Sequence, residues 1–225
     1  MVVIPYRFKH KDELRKWLWK YLSDYHLTMV PRPCFARIPS FRAPEIATAR
    51  LLDERAWQTA GTVVISADDV TFEARREALA AGKCVLVPIP RSDQAWRLEG
   101  ISPTDARVAA MIKEIGRFAQ TMPLTELKGA PLLVTGALSV DRYGRWLGQG
   151  EVFGELPAAL TRKGGLLDDA VRIAIVDDKQ IFEDFGYLID ANELPVHRVI
   201  TKTQAFTPKP PEPETPDAGP LRIIR

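Results

Sequence analysis

The sequence has few of the features that mark disulfide-rich, membrane or nucleic-acid-binding proteins. Its 225 residues include only two cysteines, Cys34 and Cys84, at a spacing that matches no metal site. A disulfide framework or a structural zinc site is therefore not expected. No apolar run approaches the ~18 residues that span a membrane. Charged residues interrupt the N-terminal segment where a signal peptide would need an apolar stretch. We therefore expect a cytoplasmic protein with no membrane partner.

The chain also has little net charge. Its 31 basic and 29 acidic side chains leave a balance of +2, which is too small to indicate a nucleic-acid partner. The charges are unevenly distributed, however, because residues 1–50 hold ten Lys/Arg and four Asp/Glu. Such a basic N-terminal quarter suits an anionic small molecule, or it is a solvated surface.

Short apolar runs alternate with helical patterns along most of the chain, which predicts an α/β fold with a mostly parallel sheet. Apolar residues recur at helical spacing from Leu14 to Leu22, and Pro44 is a good first residue for a second helix. The predicted helices cover the apolar stripe at residues 14–22 and residues 44–60, 71–81 and 108–119. The predicted strands cover residues 62–66, 84–90, 132–140, 173–176 and 196–201.

The C-terminal segment has a different composition. Residues 207–220 contain six prolines and three acidic side chains, so they bury too little apolar surface to fold and should be extended or disordered. We therefore predict one α/β domain over residues 1–206 and a proline-rich tail over residues 207–225. Residues 221–225 could dock weakly on the body or on a partner.

A glycine-rich segment is the strongest local indication of function. Gly148 and Gly150 follow an apolar strand, where glycine lets backbone N–H groups approach an anion at a helix N-terminus. Arg145 would supply a charge for a phosphate, and Glu155 an oxygen ligand for magnesium. A plain hairpin or loop is the alternative interpretation of these residues.

Several segments, taken together and in order, resemble the 5-formyltetrahydrofolate cyclo-ligase (methenyltetrahydrofolate synthetase) family over residues 11–203. A motif around Arg37-Ile38-Pro39 is similar to a divergent branch of that family, known from a cyclo-ligase domain in larger proteins. The segments that carry the resemblance are Lys11-x-x-Leu14-Arg15, Trp57, Ala78-Leu79-x-x-Gly82-Lys83, the glycine-rich segment with Arg145, Val176-x-x-x-Gln180 and residues 192–201.

The resemblance implies a three-layer α/β/α fold similar to the sugar-phosphate isomerase and CoA-transferase group. It also implies an ATP- and magnesium-dependent ligase that acts on a reduced folate. In the family, the formyl oxygen of 5-formyltetrahydrofolate attacks the γ-phosphate, and N10 then displaces the phosphate to give 5,10-methenyltetrahydrofolate. Phosphoryl transfer of this kind depends mostly on positioning and electrostatics.

The same resemblance assigns the nucleotide site. Lys11 and Arg15 match a Lys-x-x-x-Arg pair that binds ATP, and residues four apart on a helix share one face. A solvated helix edge is the alternative. Gly148, Gln149 and Gly150 match the nucleotide loop of the family together with Arg145, and we expect Lys11 and Arg145 to be catalytic.

This chain departs from the family pattern just after the nucleotide loop. Val152 replaces a third glycine, and its branched Cβ resists a positive φ. Phe153 keeps a ring that could stack on the cofactor or the pterin but lacks the phenol of the family tyrosine. Glu155 and Glu193 stand where the family has metal-binding aspartates, so both predicted magnesium ligands are one methylene longer.

Asp68 is a weaker match, because it corresponds by spacing alone to an acidic residue that holds the folate in the family. A helix cap is the alternative role for this aspartate.

The residues leave three functions open. The first is an active cyclo-ligase. The second is a non-catalytic or repurposed relative that binds folate or nucleotide or serves another pathway such as thiamine-related metabolism, and the third is a scaffold that recruits a partner through its tail. Convergence of Glu155 and Glu193 beside Lys11 and Arg15 would favour the enzyme.

Overall fold

The structure is a computed structural model that describes residues 3–4, 7–29, 33–150, 158–210 and 221–223. The helices in these ranges are α1 Lys11–Asp24, α2 Pro44–Leu52, α3 Arg55–Thr59, α4 Phe72–Ala80, α5 Ala106–Ala109 and α6 Ala158–Thr161. The strands are β1 Val3–Ile4, β2 Thr62–Ile65, β3 Cys84–Pro88, β4 Gln94–Leu98, β5 Gln120–Pro123, β6 Leu132–Gly136, β7 Ser139–Asp141, β8 Trp146–Leu147, β9 Val171–Ile175, β10 Ile181–Phe182, β11 Arg198–Ile200, β12 Ala205–Phe206 and β13 Leu221–Arg222.

A large, mostly parallel sheet organises the described part of the chain. Its eight strands lie in the order β12-β11-β9-β6-β2-β3-β4-β5. The five from β11 to β3 are mutually parallel, whereas β4, β5 and β12 pair antiparallel at the edges. This arrangement confirms the predicted α/β fold. A smaller sheet in the order β10-β7-β8 lies beyond the end of β6.

The central strands are apolar because both faces of the sheet are covered. In β2, Val63 and Ile65 belong to one core cluster, and Val64 belongs to another. The first cluster includes side chains from α1, α2 and α4, whereas the second is closed by Leu160 and Leu167. The alternation of β2 therefore distributes its side chains between two cores.

Helix α1 contains the predicted apolar stripe and begins three residues before Leu14, at Lys11. Asp12 and Glu13 lie in its first turn, and Glu13 Oε2 accepts a hydrogen bond of 2.8 Å from the backbone N–H of Lys9. Negative charge in this position stabilises a helix N-terminus. The buried face includes Leu14 and Leu18, and it also includes Arg15, which is 8% exposed.

Three sequence predictions were wrong in detail. The helix predicted over 44–60 is interrupted between α2 and α3, where the backbone leaves the helix at Glu54. The helix predicted over 108–119 is reduced to α5 and a single 3₁₀ turn at Ile115–Arg117, since Gly116 disfavours a continuous helix and Val108 is exposed. The strand predicted over 132–140 divides into β6 and β7, which belong to different sheets.

The strand order places a binding crevice at one point of the sheet. From β2 the chain continues to β3 on one side, and it later returns through β6 on the other side. Crevices in open α/β sheets form at the carboxyl ends of the strands where the order reverses in this way. The ends of β2 and β6 are therefore the expected position of a ligand.

The described part of the C-terminal segment contacts the body. Strand β13 pairs antiparallel with β1, and the backbone N–H of Glu183 donates to the carbonyl of Arg222 at 2.7 Å. Ile223 is 2% exposed. The division at residue 206 stays a prediction. A search of the described helices found none with the length and apolar character needed to cross a membrane.

Candidate functional site

A cavity of about 580 Å³ lies at the reversal point of the sheet. One wall comes from the ends of β2 and β6, with Ser66, Asp68 and Gly136. Another wall comes from the glycine-rich loop, with Gly148 and Gln149. Its volume is in the range of sites that bind small molecules and cofactors. The fold therefore brings the predicted folate residue and the predicted nucleotide loop to one cavity.

Asp68 faces this cavity rather than capping a helix. Its carboxylate accepts a hydrogen bond of 2.6 Å from Ser66 Oγ, and it makes no capping bond to the following 3₁₀ turn. The capping alternative is therefore wrong. Burial raises the pKa of Asp68 to about 6, because the loss of hydration outweighs the hydrogen bond from Ser66 and the positive charge of Arg75.

Arg75, which sequence reasoning missed, holds the loop that carries Asp68. Its side chain is almost fully buried, and its Nη1 donates to the carbonyls of Ser66 and Asp68 at 2.6 and 3.0 Å. Nη1 also donates to Thr71 Oγ1 at 2.8 Å, and Nε donates to the carbonyl of Ala110 at 3.0 Å. A signal was present in the sequence, because Arg75 lies on the buried stripe of α4, four residues before Leu79.

The glycine-rich loop begins at a fully buried carboxylate. Asp141 accepts hydrogen bonds from the backbone N–H groups of Tyr143 and Arg145 at 2.9 and 3.0 Å. Gly144 has a φ of 80°, and a Cβ there would lie 2.4 Å from the carbonyl of Val196. Only glycine therefore fits this turn. Burial raises the pKa of Asp141 to about 6, although Arg145 and the backbone donors oppose the shift.

Arg145 occupies a different place from the one that the sequence suggested. Its guanidinium donates to Asp184 Oδ1 at 2.7 Å and approaches Asp141 Oδ2 at 3.4 Å. It also packs over the ring of Tyr143, 5.0 Å from the centroid. Among the described residues, Arg145 is not part of the cavity wall. These contacts join the start of the loop to the segment after β10.

Arg15 reaches the loop from helix α1. Its Nε donates to the carbonyl of Gly148 at 3.0 Å, and its Nη1 donates to Asp12 Oδ1 at 2.7 Å. Gly150 has a φ of 94°, and a Cβ there would lie 3.4 Å from the guanidinium of Arg15. The predicted helix residue and the predicted loop are therefore in direct contact.

Lys11 and Glu193 form an ion pair, although 182 residues separate them in sequence. Their side chains are 27% and 24% exposed, so both reach solvent. The neighbouring Leu194 accepts a hydrogen bond of 3.0 Å from Trp146 Nε1, and Trp146 lines the cavity. A predicted ATP ligand and a predicted metal ligand thus meet close to the cavity wall.

Two predicted residues, Phe153 and Glu155, lie outside the described residues. In the part of the chain that the structure describes, no three His, Cys, Asp or Glu side chains form a group that could hold a metal ion. Of the two predicted magnesium ligands, Glu193 is the one that the structure describes, and its carboxylate pairs with Lys11.

Comparison with known proteins places this geometry in context. The model of the 5-formyltetrahydrofolate cyclo-ligase family matches residues 7–202. Methenyltetrahydrofolate synthase domain-containing proteins from Mus musculus and Danio rerio are 26% and 27% identical over 211 residues, which is 89% of this chain. The human protein of the same name is 24% identical. The chain spans only 55–57% of the length of these relatives.

A solved structure has the same fold. The 5,10-methenyltetrahydrofolate synthetase of Aquifex aeolicus superposes with a TM-score of 0.53 at 15% identity, covering 91% of this chain and 96% of that protein. At this level of identity the similarity supports the fold alone.

Proposed function

The chain belongs to the 5-formyltetrahydrofolate cyclo-ligase family, and from this premise we propose that it converts 5-formyltetrahydrofolate to 5,10-methenyltetrahydrofolate with ATP and magnesium. The observation that carries the proposal is that helix α1 contacts both predicted sites: Lys11 pairs with Glu193, and Arg15 donates to Gly148 of the glycine-rich loop, which lines the cavity. The formyl oxygen would attack the γ-phosphorus and release ADP. N10 would then attack the formyl carbon, its proton would pass to the departing phosphate, and the C–O bond to phosphate would break.

The ion pair between Lys11 and Glu193 suits a ligand that carries both signs of charge. In magnesium-bound ATP, a phosphate oxygen can replace Glu193 as the partner of Lys11, and magnesium can accept the carboxylate. Magnesium usually needs only one or two protein carboxylates, because phosphate oxygens and water complete its octahedron. Both side chains reach solvent, so exchanging partners costs little.

Arg15 and Gly150 would complete the phosphate site. Arg15 keeps its Nε on the loop carbonyl of Gly148, and its guanidinium adds positive charge where the γ-phosphate becomes more negative. Fixed donors of this type stabilise the transition state without reorganisation. We propose that Arg145 acts indirectly, without contacting the phosphates, because its bonds to Asp184 and Asp141 maintain the conformation of the loop.

Asp68 would hold the other end of the substrate. A pterin ring presents N–H donors, which a carboxylate accepts, and ring nitrogens, to which a protonated carboxyl can donate. Because the pKa of Asp68 is raised to about 6, both forms are accessible near neutral pH.

The test is ATP-dependent formation of the methenyl product, followed by its absorbance, in the full chain and in a Lys11→Ala plus Arg15→Ala variant. Loss of two charge-assisted contacts should reduce kcat/KM by about 100-fold or more. Lys16→Ala is the matched control, because Lys16 is an exposed cation on the same helix. It should retain full activity.

The second candidate is a relative that binds ligand without turnover. It is favoured only by the altered residues after Gly150, among them Val152. Binding of 5-formyltetrahydrofolate and ATP with no product would establish that candidate. Absence of both binding and product would reject the proposed substrate.

A further inference from the structure

Two exposed arginines line the cavity but take no part in the site described above. Arg37 lies in the segment before α2, and Arg91 lies in the loop between β3 and β4. Neither side chain has a hydrogen bond or ion pair to any described residue, whereas Arg15, Arg75 and Arg145 each have several. The cavity lining therefore includes two exposed arginines whose side chains have no partner among the described residues.

The backbone holds Arg91 in a conformation that is unfavourable for this residue type. The N–H of Ser92 donates to the carbonyl of Ile89 at 3.2 Å, which closes a turn with Pro90 second and Arg91 third. Arg91 has a φ of 59°. Proline at the second position and a positive φ at the third position define a type II turn, in which glycine or asparagine is preferred at the third position. Stability alone would therefore favour glycine at position 91.

Arg37 is also fixed by its backbone. Its N–H donates to the carbonyl of Cys34 at 3.2 Å, and its own carbonyl accepts a bond of 2.9 Å from Trp19 Nε1. The preceding Ala36 has a φ of 61° and also lines the cavity. Strained residues that the surrounding structure maintains are concentrated at ligand sites. Both arginines thus project from positions that the fold enforces.

The chemistry of the remaining cavity wall indicates which part of a ligand reaches these arginines. The acidic residues of the cavity, Asp68 and Asp69, lie together at the end of β2. The arginines lie on two other loops, and Phe35 beside them is 51% exposed. A ligand with a hydrogen-bonding head, an aromatic middle and an anionic end matches this distribution of side chains.

We infer that Arg37 and Arg91 form a carboxylate-binding rim that recognises the glutamate end of the substrate. The inference rests on the proposed function, since 5-formyltetrahydrofolate has a pterin head, an aminobenzoyl ring and a glutamate. With the head at Asp68, the glutamate carboxylates extend to the rim and the benzoyl ring passes Phe35. Guanidinium groups bind carboxylates in a bidentate geometry that lysine does not reproduce.

A phosphate group of the nucleotide has the same attraction to guanidinium, so the experiment must separate the two anions. Calorimetry would measure the binding of 5-formyltetrahydrofolate, of 5-formyltetrahydropteroate, which lacks the glutamate, and of ATP with magnesium. The unaltered chain should bind the folate about tenfold more tightly than the pteroate, as expected for a charge-assisted contact.

Arg37→Gln combined with Arg91→Gly should abolish this preference and leave the affinity for ATP unchanged. Arg91→Gly by itself should fold with an equal or higher Tm, because glycine relieves the positive φ. Arg42→Gln is the matched control, because Arg42 is an exposed arginine of the same segment that is not part of the described cavity wall. It should keep the preference.

The inference is overturned if the double variant keeps the preference, or if the unaltered chain binds both folate compounds equally. It is also overturned if the double variant loses affinity for ATP and not for the folate. Absence of binding by either folate compound to the unaltered chain would overturn this inference and the proposed function together. Binding of both compounds with equal affinity would remove the rim and leave the proposed function standing.

Discussion

The two sides of the cavity are built from different interactions. At the end of β2, one buried arginine, Arg75, donates to backbone carbonyls and fixes the loop of Asp68. At the glycine-rich loop, charged groups also pair with each other, as Lys11 does with Glu193 and Arg15 with Asp12. Hydrogen bonds to the backbone position a group permanently, whereas a half-exposed ion pair can exchange partners.

The difference has an energetic basis. A half-exposed ion pair contributes about 0–1 kcal/mol, so an incoming ligand can replace it at little cost. A buried group that satisfies several acceptors costs several times more to remove, because the acceptors remain dehydrated. The strand end therefore suits recognition of one shape, and the loop side suits binding and release of a charged ligand.

Replacing the buried Arg75 tests the side of the cavity at the end of β2 most directly. Arg75→Met should lower the free energy of unfolding by about 3 kcal/mol, since the buried carbonyl of Ala110 loses the donor Arg75 Nε and that of Ser66 keeps only Thr71 Oγ1. Urea denaturation measures this loss. Arg76→Met is the matched control, because Arg76 pairs with Glu73 and Glu77 near the surface and should cost less than about 1 kcal/mol. Equal losses for the two variants would contradict the comparison.

A smaller effect is expected on the loop side. Gly150→Ala should lower the free energy of unfolding by about 1–2 kcal/mol, because alanine disfavours a positive φ. The new Cβ would also come into van der Waals contact with the guanidinium of Arg15 and take up space beside it, so the KM for ATP should rise.

Gly82→Ala separates these two effects. Gly82 also has a positive φ, of 72°, but beyond its chain neighbours no atom lies within 4 Å of the place that an alanine Cβ would take. This variant therefore has the strain without the contact. Unfolding and ATP-dependent turnover would be measured for both variants. A rise in KM for Gly82→Ala as well would show that the contact with Arg15 is irrelevant.

The smallest effect concerns the pH dependence at Asp68. Its pKa of about 6 in the folded chain exceeds the ordinary value of 3.8, so the folded state binds this proton more tightly. The resulting stabilisation is present in full below the ordinary pKa and is lost as the pH rises through about 6. Asp68→Asn carries no charge at this position, so it should be more stable than the unaltered chain at neutral pH, and this advantage should vanish in acid.

Thermal unfolding between acid and neutral pH measures this difference, with Asp53→Asn as the exposed control, because Asp53 lies at the end of α2 and does not affect the pKa of Asp68. An advantage for Asp68→Asn that does not change with pH would show that the carboxylate is not destabilised by burial.

Local patterns predicted the architecture where one element could be recognised by itself. The strands β2, β3, β6 and β9 were predicted because a strand that is buried on both faces has a continuous apolar run. Helix α1 was predicted because a helix that is buried on one face has apolar residues at helical spacing. The helix predicted over 108–119 failed because apolar residues in turns can bury themselves without helical geometry. Edge strands β4 and β5 were missed since their residues are only partly buried.

The candidate site was predictable only for residues within recognisable motifs. Lys11, Arg15, Gly148 and Gly150 come from short patterns that resemble those of the family, and the fold brings Arg15 into contact with that loop. Trp146 was not predicted, because its role depends on a carbonyl 48 residues away. No local rule indicates such a partner.

The sequence by itself determined the alternation of strands and helices, the family and the segments that carry charge and glycine, since these are properties of short stretches. Only the tertiary structure decided that Lys11 meets Glu193, that Arg75 serves the loop of Asp68, and that Arg37 and Arg91 share one cavity. The physical reason is that each of these relations depends on the strand order. That order reverses between β2 and β6 and brings distant segments together at one edge of the sheet.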